Sequence, residues 1–202
     1  VVRQGWYASV VALVLTGWTI AAQALVPLDG VMSIVAGDRF GCANTSSAGL
    51  RCWGLNEYGQ LGDSTNATRW TPVGVVGNPT ISAVVTGGAH ACSSSATGAV
   101  ACWGSNSNGQ LGNAGVPVAP ASNASSAVPV TVSVGEATGI AAGRAHTCSI
   151  VATTGDVYCW GANAAGQLGD SSTTDRPTPV QVSGLTGVVA LAAGGDHTCA
   201  LL

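Results

Sequence analysis

The chain contains no lysine. Its 202 residues carry six basic side chains, all arginine (Arg3, Arg39, Arg51, Arg69, Arg144 and Arg176), against nine acidic ones. Charged residues make up 7% of the total, where soluble domains average about 25%. Six singly placed arginines and a formal charge of −3 leave no basic stripe to hold a phosphate backbone, which sets nucleic-acid partners aside. Also lacking, beyond the N-terminal stretch, is any window with an apolar period of 3.6 residues, so amphipathic helices are not expected. The chain is nonetheless 47% hydrophobic with regularly placed Trp, which argues against disorder, and its length suits one or two domains.

From Gln4 to Leu28 there is no charge, and Arg3 precedes an apolar stretch, Val10 to Leu15, that ends in Ala22-Gln23-Ala24. This order predicts a secretory signal at residues 1–24, cleaved after Ala24. An uncleaved anchor over Trp6 to Ala22 is the alternative, weakened by Gly17 and Pro27. Either segment exports the remainder, to the cell envelope or outside the cell. The first residue is Val rather than Met, so the true start is expected elsewhere.

What the sequence does have is internal repetition. Gly-Gln-Leu-Gly occurs at Gly59, Gly109 and Gly166, spaced by 50 and 57 residues. Seven residues before each stands Cys-Trp-Gly (from Cys52, Cys102 and Cys159), and ten or eleven before that another Cys (Cys42, Cys92 and Cys148). A fourth copy opens at His197-Thr198-Cys199. The longer middle period reflects seven extra residues in the Pro/Ala/Ser/Asn stretch Gly115 to Ala127, which reads as an exposed loop.

Each repeat divides into four short Val/Thr-rich segments between turn residues, as in Gly139–Ala142, Ala145–Ala152, Asp156–Trp160 and Thr178–Val182. Four antiparallel strands at a fixed period predict an all-β fold built of propeller blades, at about residues 31–80, 81–135, 136–187 and, incomplete, 188–202. A solenoid is the lesser alternative, since β-helix coils are usually much shorter than this period.

The pattern Gly-x-x-His-x-Cys followed by Cys-Trp-Gly-x-Asn-x-x-Gly-Gln-Leu-Gly resembles the regulator of chromosome condensation repeat family over about residues 31 to 202. The resemblance implies a seven-bladed β-propeller, of which this chain would be a part. It also implies protein-interaction scaffolds, among them guanine-nucleotide exchange factors for small GTPases and secreted enzyme inhibitors. Similar repeats are widespread in exported bacterial proteins. Two departures are Phe40, where other copies have His90, His146 and His197, and the cysteine pairs.

The pairs Cys42/Cys52, Cys92/Cys102 and Cys148/Cys159 sit on consecutive strands joined by short turns, so each can face across one hairpin and form a disulfide in an oxidising compartment. Free structural thiols and zinc ligation are the alternatives, though zinc usually takes closer Cys spacings. Cys199 is left over, which is expected of a chain cut inside its fourth blade. Residues present in every repeat at one phase read as architecture rather than as a catalytic set. On that reading His90, His146 and His197 hydrogen-bond at strand starts, and Trp53, Trp103 and Trp160 pack between neighbouring blades. Gln60, Gln110 and Gln167 bond the backbone of an adjacent strand or blade. The rival for the Trp residues is a carbohydrate-stacking platform.

Between the shared positions lie variable loops, where binding specificity usually resides. The candidate partner-binding residues are Asp38, Arg39, Asn56, Glu57, Tyr58, Asn106, Asn108, Arg144, Asn163 and Asp196. Asp63 to Asn66 and Asp170 to Asp175 superficially suggest calcium, but Asp-Ser turns account for them without metal. Asn44, Asn66 and Asn123 fit the glycosylation pattern. The function expected is an exported, non-enzymatic protein-binding scaffold with no cofactor or metal. Exchange activity toward a small GTPase is the alternative, and a glycan-acting enzyme using Glu57, Asp38 and Asp196 a weaker one. Self-association is expected if the chain is complete as given.

Overall fold

The computed structural model describes residues 27–77, 81–121 and 123–202, so the signal or anchor expected at 1–24 lies outside the described residues. Strands follow one another as antiparallel meanders. Blade 1 comprises β1 (Val31–Ala36), β2 (Phe40–Thr45), β3 (Gly49–Gly54) and β4 (Arg69–Gly74). Blade 2 comprises β5 (Ile81–Thr86), β6 (His90–Ser95), β7 (Val100–Ser105) and β8 (Ser125–Val132), and blade 3 β9 (Ala137–Ala142), β10 (His146–Val151), β11 (Val157–Gly161) and β12 (Arg176–Gln181). Blade 4 has β13 (Ala190–Ala193) and β14 (Thr198–Leu201). The all-β architecture of three four-stranded sheets and a two-stranded fourth is a portion of a β-propeller. No helix among the described residues is long and apolar enough to cross a membrane.

One correction concerns the extra residues of the second repeat. They do not form an exposed loop throughout: Ser125 to Ala127 lengthen β8 and are half-buried. The Ala127 carbonyl accepts the Ser64 amide at 2.9 Å, so this end of the segment lies on the neighbouring blade's turn.

Within each blade the central hairpin is closed covalently. Cys42 pairs with Cys52 in register, as do Cys92 with Cys102 and Cys148 with Cys159, at Cα separations of 4.1, 4.0 and 4.1 Å. Those separations belong to non-hydrogen-bonded antiparallel pairs, whose side chains stand closest. All six sulfurs are bonded, and each cysteine is fully buried rather than half-buried. Each bridge closes a loop of 10 or 11 residues, for about 2–3 kcal/mol on chain-entropy grounds.

The core lies between blades. Leu50, Cys52, Leu61 and Val75 of blade 1 meet Ile81, Val84 and Trp103 of blade 2. Val100, Cys102, Leu111 and Val132 of blade 2 meet Ala137 and Trp160 of blade 3, and Val157, Cys159 and Leu168 of blade 3 face Leu191 of blade 4. Trp103 and Trp160 are wholly buried, each in a socket floored by the last glycine of the preceding blade's Gly-Gln-Leu-Gly. At Gly112 (φ +66°) a Cβ would stand 2.7 Å from the Trp160 Nε1, so only glycine fits there. Trp53 departs from the expected packing between blades: it is half-buried, because no blade among the described residues covers that side. On the same side Val31 and Ile34 are 47% and 67% exposed, whereas their blade 2 counterparts Ile81 and Val84 are buried.

Trp103→Ala is therefore expected to cost about 3–5 kcal/mol in urea unfolding and Trp53→Ala about 1 kcal/mol or less; equal losses would remove the socket account. Replacing Cys92 and Cys102 together by Ser is expected to cost about 2–3 kcal/mol in the same assay, and no change would contradict the bridge's role.

Candidate functional site

In an antiparallel meander the first and third connections emerge at one end of the sheet. The β1–β2 and β3–β4 loops of blade 1, and their counterparts in blades 2 and 3, therefore share one face, bonded there by Leu55 to Arg39, Ser105 to Ala89 and Ala162 to Ala145 backbone pairs of 2.8–2.9 Å. Turns from successive blades are also linked edge to edge. The Asp38 amide donates to the Gly88 carbonyl (3.3 Å), Gly88 to Arg144 (3.0 Å) and Arg144 to Gly195 (3.0 Å). At Gly87 a Cβ would collide with the Gly143 carbonyl and the His90 ring, which makes glycine obligatory at that close approach. Asp38, Arg39, Glu57, Tyr58, Arg144 and Asp196 are exposed on this face, as the variable-loop reading expected.

Asn56, Asn106 and Asn163 correct that reading, for they are fully buried. Each Oδ1 accepts the amide of the repeat leucine (Leu61, Leu111, Leu168) at 2.9–3.0 Å, and each Nδ2 donates to backbone carbonyls across the loop, such as Thr65 and Ala67 in blade 1. They hold the long loops shut and are out of a partner's reach. Asn108 is half-buried and donates to the Asp175 carboxylate of blade 3 at 2.9 Å. The glutamines depart from expectation too. Oε1 of Gln60, Gln110 and Gln167 accepts the amide two residues earlier (Tyr58, Asn108, Ala165) at 2.9 Å, inside their own turn.

It is the glutamine backbone that reaches the next blade. The Gln60 carbonyl accepts Trp103 Nε1–H at 3.0 Å, and the Gln110 carbonyl accepts Trp160 Nε1–H at 2.9 Å and the Thr147 hydroxyl at 3.2 Å. Because Thr147 spends its proton on that carbonyl, it must accept from His90 Nε2–H, 2.9 Å away. His146, Thr198 and the Gln167 carbonyl repeat the chain at 2.9 and 3.1 Å. The exception at Phe40 now has a reason. The residue facing it from blade 2 is Ala91, which has no hydroxyl, and both are buried in one apolar cluster.

His90 and His146 are buried with no hydrogen-bond partner for Nδ1. Burial, with a smaller contribution from His146, pushes His90 down to about 3. Burial also lowers His146, opposed by Asp196 and reinforced by His197. His197 itself is exposed.

The two loops weighed for calcium are closed by their own side chains. Asp63 Oδ1 takes Asn56 Nδ2, the Thr65 amide and the Thr65 hydroxyl, and Oδ2 takes Arg69 Nε at 2.8 Å; Asp170 does the same with Asn163, Ser172 and Arg176. Burial alone would raise Asp63, but donation from Thr65, Arg69 and Asn56 outweighs it and lowers the carboxyl. The Ser172 hydroxyl leads the donors that hold Asp170 at about 2, against a smaller opposing effect of burial. No group of three metal-ligating side chains occurs among the described residues. Of the glycosylation sites, Asn44 is buried in β2, while Asn66 and Asn123 are exposed.

Repeat counting missed Trp70, which is 90% exposed at the start of β4, beside the face that carries Tyr58 (46%). The available signal was its position, a Trp outside the Cys-Trp-Gly phase.

Blade geometry and the inter-blade contacts define the class as a β-propeller of repeated four-stranded sheets. The Regulator of chromosome condensation (RCC1) repeat matches residues 52–93, 97–150 and 154–201, and a second form of the same repeat matches 31–60, 81–110 and 137–167. The chain belongs to the RCC1 repeat family. It is 42% identical over 64 residues to the ultraviolet-B receptor UVR8 of Arabidopsis thaliana, a stretch covering 30% of this chain and 14% of that protein. Human WBSCR16 is similar in structure (TM-score 0.71, 25% identity), over 85% of this chain and 44% of that one. Prp20p of Saccharomyces cerevisiae, described for its binding to Gsp1p and histones, has TM-score 0.73 at 20% identity over 85% and 43% of the two chains. The chain thus spans less than half of these solved structures, and at 20% identity the likeness shows the fold alone.

For His90 the unfolded chain binds a proton below about 6.5 while the folded site stays neutral to about 3, so stability falls with pH across that window. Asp170 acts in the same sense lower down, its contribution being lost as pH falls from 3.8 through about 2. Between pH 7 and 4.5 the His90 contribution to urea-unfolding stability should drop by about 2–3 kcal/mol. The double variant His90→Phe/Thr147→Ala, copying the Phe40/Ala91 pair, should lose markedly less; an unchanged pH slope would refute the assignment.

Proposed function

We propose that the protein is an exported, non-enzymatic scaffold that binds a protein partner through the loop face carrying Asp38, Arg39, Glu57, Tyr58, Arg144 and Asp196. The observation that carries this reading is the division of labour on that face. Side chains common to the repeats (Asn56, Asn106, Asn163 and the glutamines) are committed to internal hydrogen bonds, while those that differ between repeats stand exposed above them. A rigid base with variable projections is how recognition is built on repeat scaffolds. Tyr58 and Trp70 supply the large aromatic surface that anchors protein interfaces, on a side of the molecule that also exposes charges of both signs. Recognition is then of another protein's mixed polar surface rather than of a polyanion, since the arginines stand singly.

Three buried disulfides support an oxidising compartment, the cell envelope or beyond. The acidic side chains Asp38 and Glu57 stand on two different loops of blade 1 and Asp196 on blade 4, and His90 and His146 are spent on inter-blade bonds, so the non-enzymatic reading has support from how those groups are used.

The test is affinity capture from envelope extract with quantitative mass spectrometry, comparing the native chain, the face variant Tyr58→Ala/Trp70→Ala/Arg144→Glu, and an opposite-end control, Glu136→Lys/Asp156→Lys. A saturable partner retained by the control and weakened more than tenfold by the face variant is expected. Equal retention by all three would refute the assignment of this face.

A further inference from the structure

The loop between the third and fourth strands is closed in blade 1 by Asp63 with Arg69, and in blade 3 by Asp170 with Arg176, at 2.8 and 2.7 Å. Blade 2 has neither partner. Asn113 follows the Gly-Gln-Leu-Gly motif where Asp63 and Asp170 do, and Ser126 lies opposite Gly104 where Arg69 lies opposite Gly54 and Arg176 opposite Gly161. The two side chains turn elsewhere: Asn113 Nδ2 donates to the Thr131 carbonyl and the Ser126 hydroxyl to the Val128 carbonyl, both at 2.7 Å. Of the three loops, the one that carries the extra residues is thus also the one without the Asp–Arg closure.

What projects from it is a run of five exposed residues, Pro117-Val118-Ala119-Pro120-Ala121. The base of this run is held, since the buried Asn106 amide donates to the Val116 and Pro117 carbonyls, both at 2.9 Å. The tip has two longer bonds at the surface, from the Ala119 amide to the Ser107 carbonyl at 3.2 Å and from the Ala121 amide to the Val118 carbonyl at 3.1 Å. It therefore opens more readily than the sheet beneath it. No Lys, Arg, Asp or Glu lies between Arg69 and Glu136, and the tip offers small apolar side chains alone. An endopeptidase that reads a charged or aromatic side chain finds no target here. One with a shallow apolar primary pocket finds two, Val118 and Ala121, each preceded by a proline.

We propose that this tip is a proteolytic processing site, cut after Val118 or Ala121 by a serine endopeptidase with a small apolar primary pocket, and that the product is a two-chain protein that keeps its fold. Exposed loop tips of small residues are where nicking concentrates. The peptidase serine attacks the carbonyl carbon, the C–N bond breaks, and the following residue leaves as a new amino terminus with a proton from the peptidase histidine. Water then hydrolyses the acyl-enzyme, so that one water is added across one peptide bond. The pieces stay together because β7 and β8 remain paired, with Val100 opposite Val132 and Cys102 opposite Val130. The Trp160 indole also stays in the blade 2 socket, bonded to the Gln110 carbonyl at 2.9 Å. Each disulfide closes within one hairpin, so none of the three spans the cut.

The experiment digests the full, oxidised chain with pancreatic elastase and identifies fragments over time by mass spectrometry. Among residues 27–202 the first cut should leave a new C terminus at Val118 or Ala121. The two fragments should part in SDS without reductant, yet travel as one particle in native mass spectrometry. The variant Val118→Glu/Ala121→Glu, whose changes lie on exposed side chains, should slow this cut at least tenfold. A first cut elsewhere among residues 27–202, pieces that part without denaturant, or a variant cut at the parent's rate would overturn the proposal. Resistance of the folded chain in conditions that digest the reduced, unfolded chain would overturn it as well. No partner is present in the digestion, so this proposal and the loop-face assignment fail separately.

Discussion

A single blade cannot bury its own broad faces, and the structure is organised around that constraint. The sheet's central hairpin is thin, small-residue and cross-linked, so the large apolar side chain it offers, the tryptophan, has no place within its own blade. It is received by the preceding blade, where a leucine, a disulfide and a glycine shape the socket and a backbone carbonyl takes the indole N–H. An indole buried without that acceptor would leave a polar group dry, so packing and hydrogen bonding must be satisfied at once. Among the described residues blade 2 is both donor and acceptor of this contact, giving Trp103 to blade 1 and receiving Trp160 from blade 3, which propagates order from one repeat to the next.

Around the indole a second set of contacts sets a finer condition. A buried histidine donates to a threonine hydroxyl in the following blade, and that hydroxyl donates to the same carbonyl that bonds the tryptophan. The chain is directional, since each group has one proton to give. It also explains why the histidines stay neutral: the desolvated ring has one partner, and the other nitrogen has none. Where the threonine is replaced by Ala91, the histidine is replaced by Phe40, and the interface closes by apolar contact alone. Both solutions coexist in one molecule.

Function sits above this framework. The buried asparagines and glutamines absorb the polar backbone of the long loops, so that the loop tips can vary without disturbing the sheet. What remains exposed is sparse and mixed: a few charges of both signs, Tyr58 and Trp70. A surface of that kind suits recognition of another protein, and its weak net field suits no polyanion.

Repeat period, strand number and the cysteine pairing were all legible in the chain itself, because a side chain that recurs in phase reports a recurring environment, and because antiparallel register brings the two cysteines of a hairpin together. The sequence equally marked the loops as the variable part. It did not separate Asn56, Asn106 and Asn163 from their exposed neighbours, since a polar residue between Gly and Gly looks alike whether its amide faces solvent or two backbone carbonyls. Nor did it distinguish Trp53 from Trp103, whose local sequences match and whose burial differs only by what lies alongside. Those distinctions, and the pairing of Phe40 with Ala91, belong to tertiary structure, because they depend on residues some fifty positions away that only the stacking of blades brings into contact.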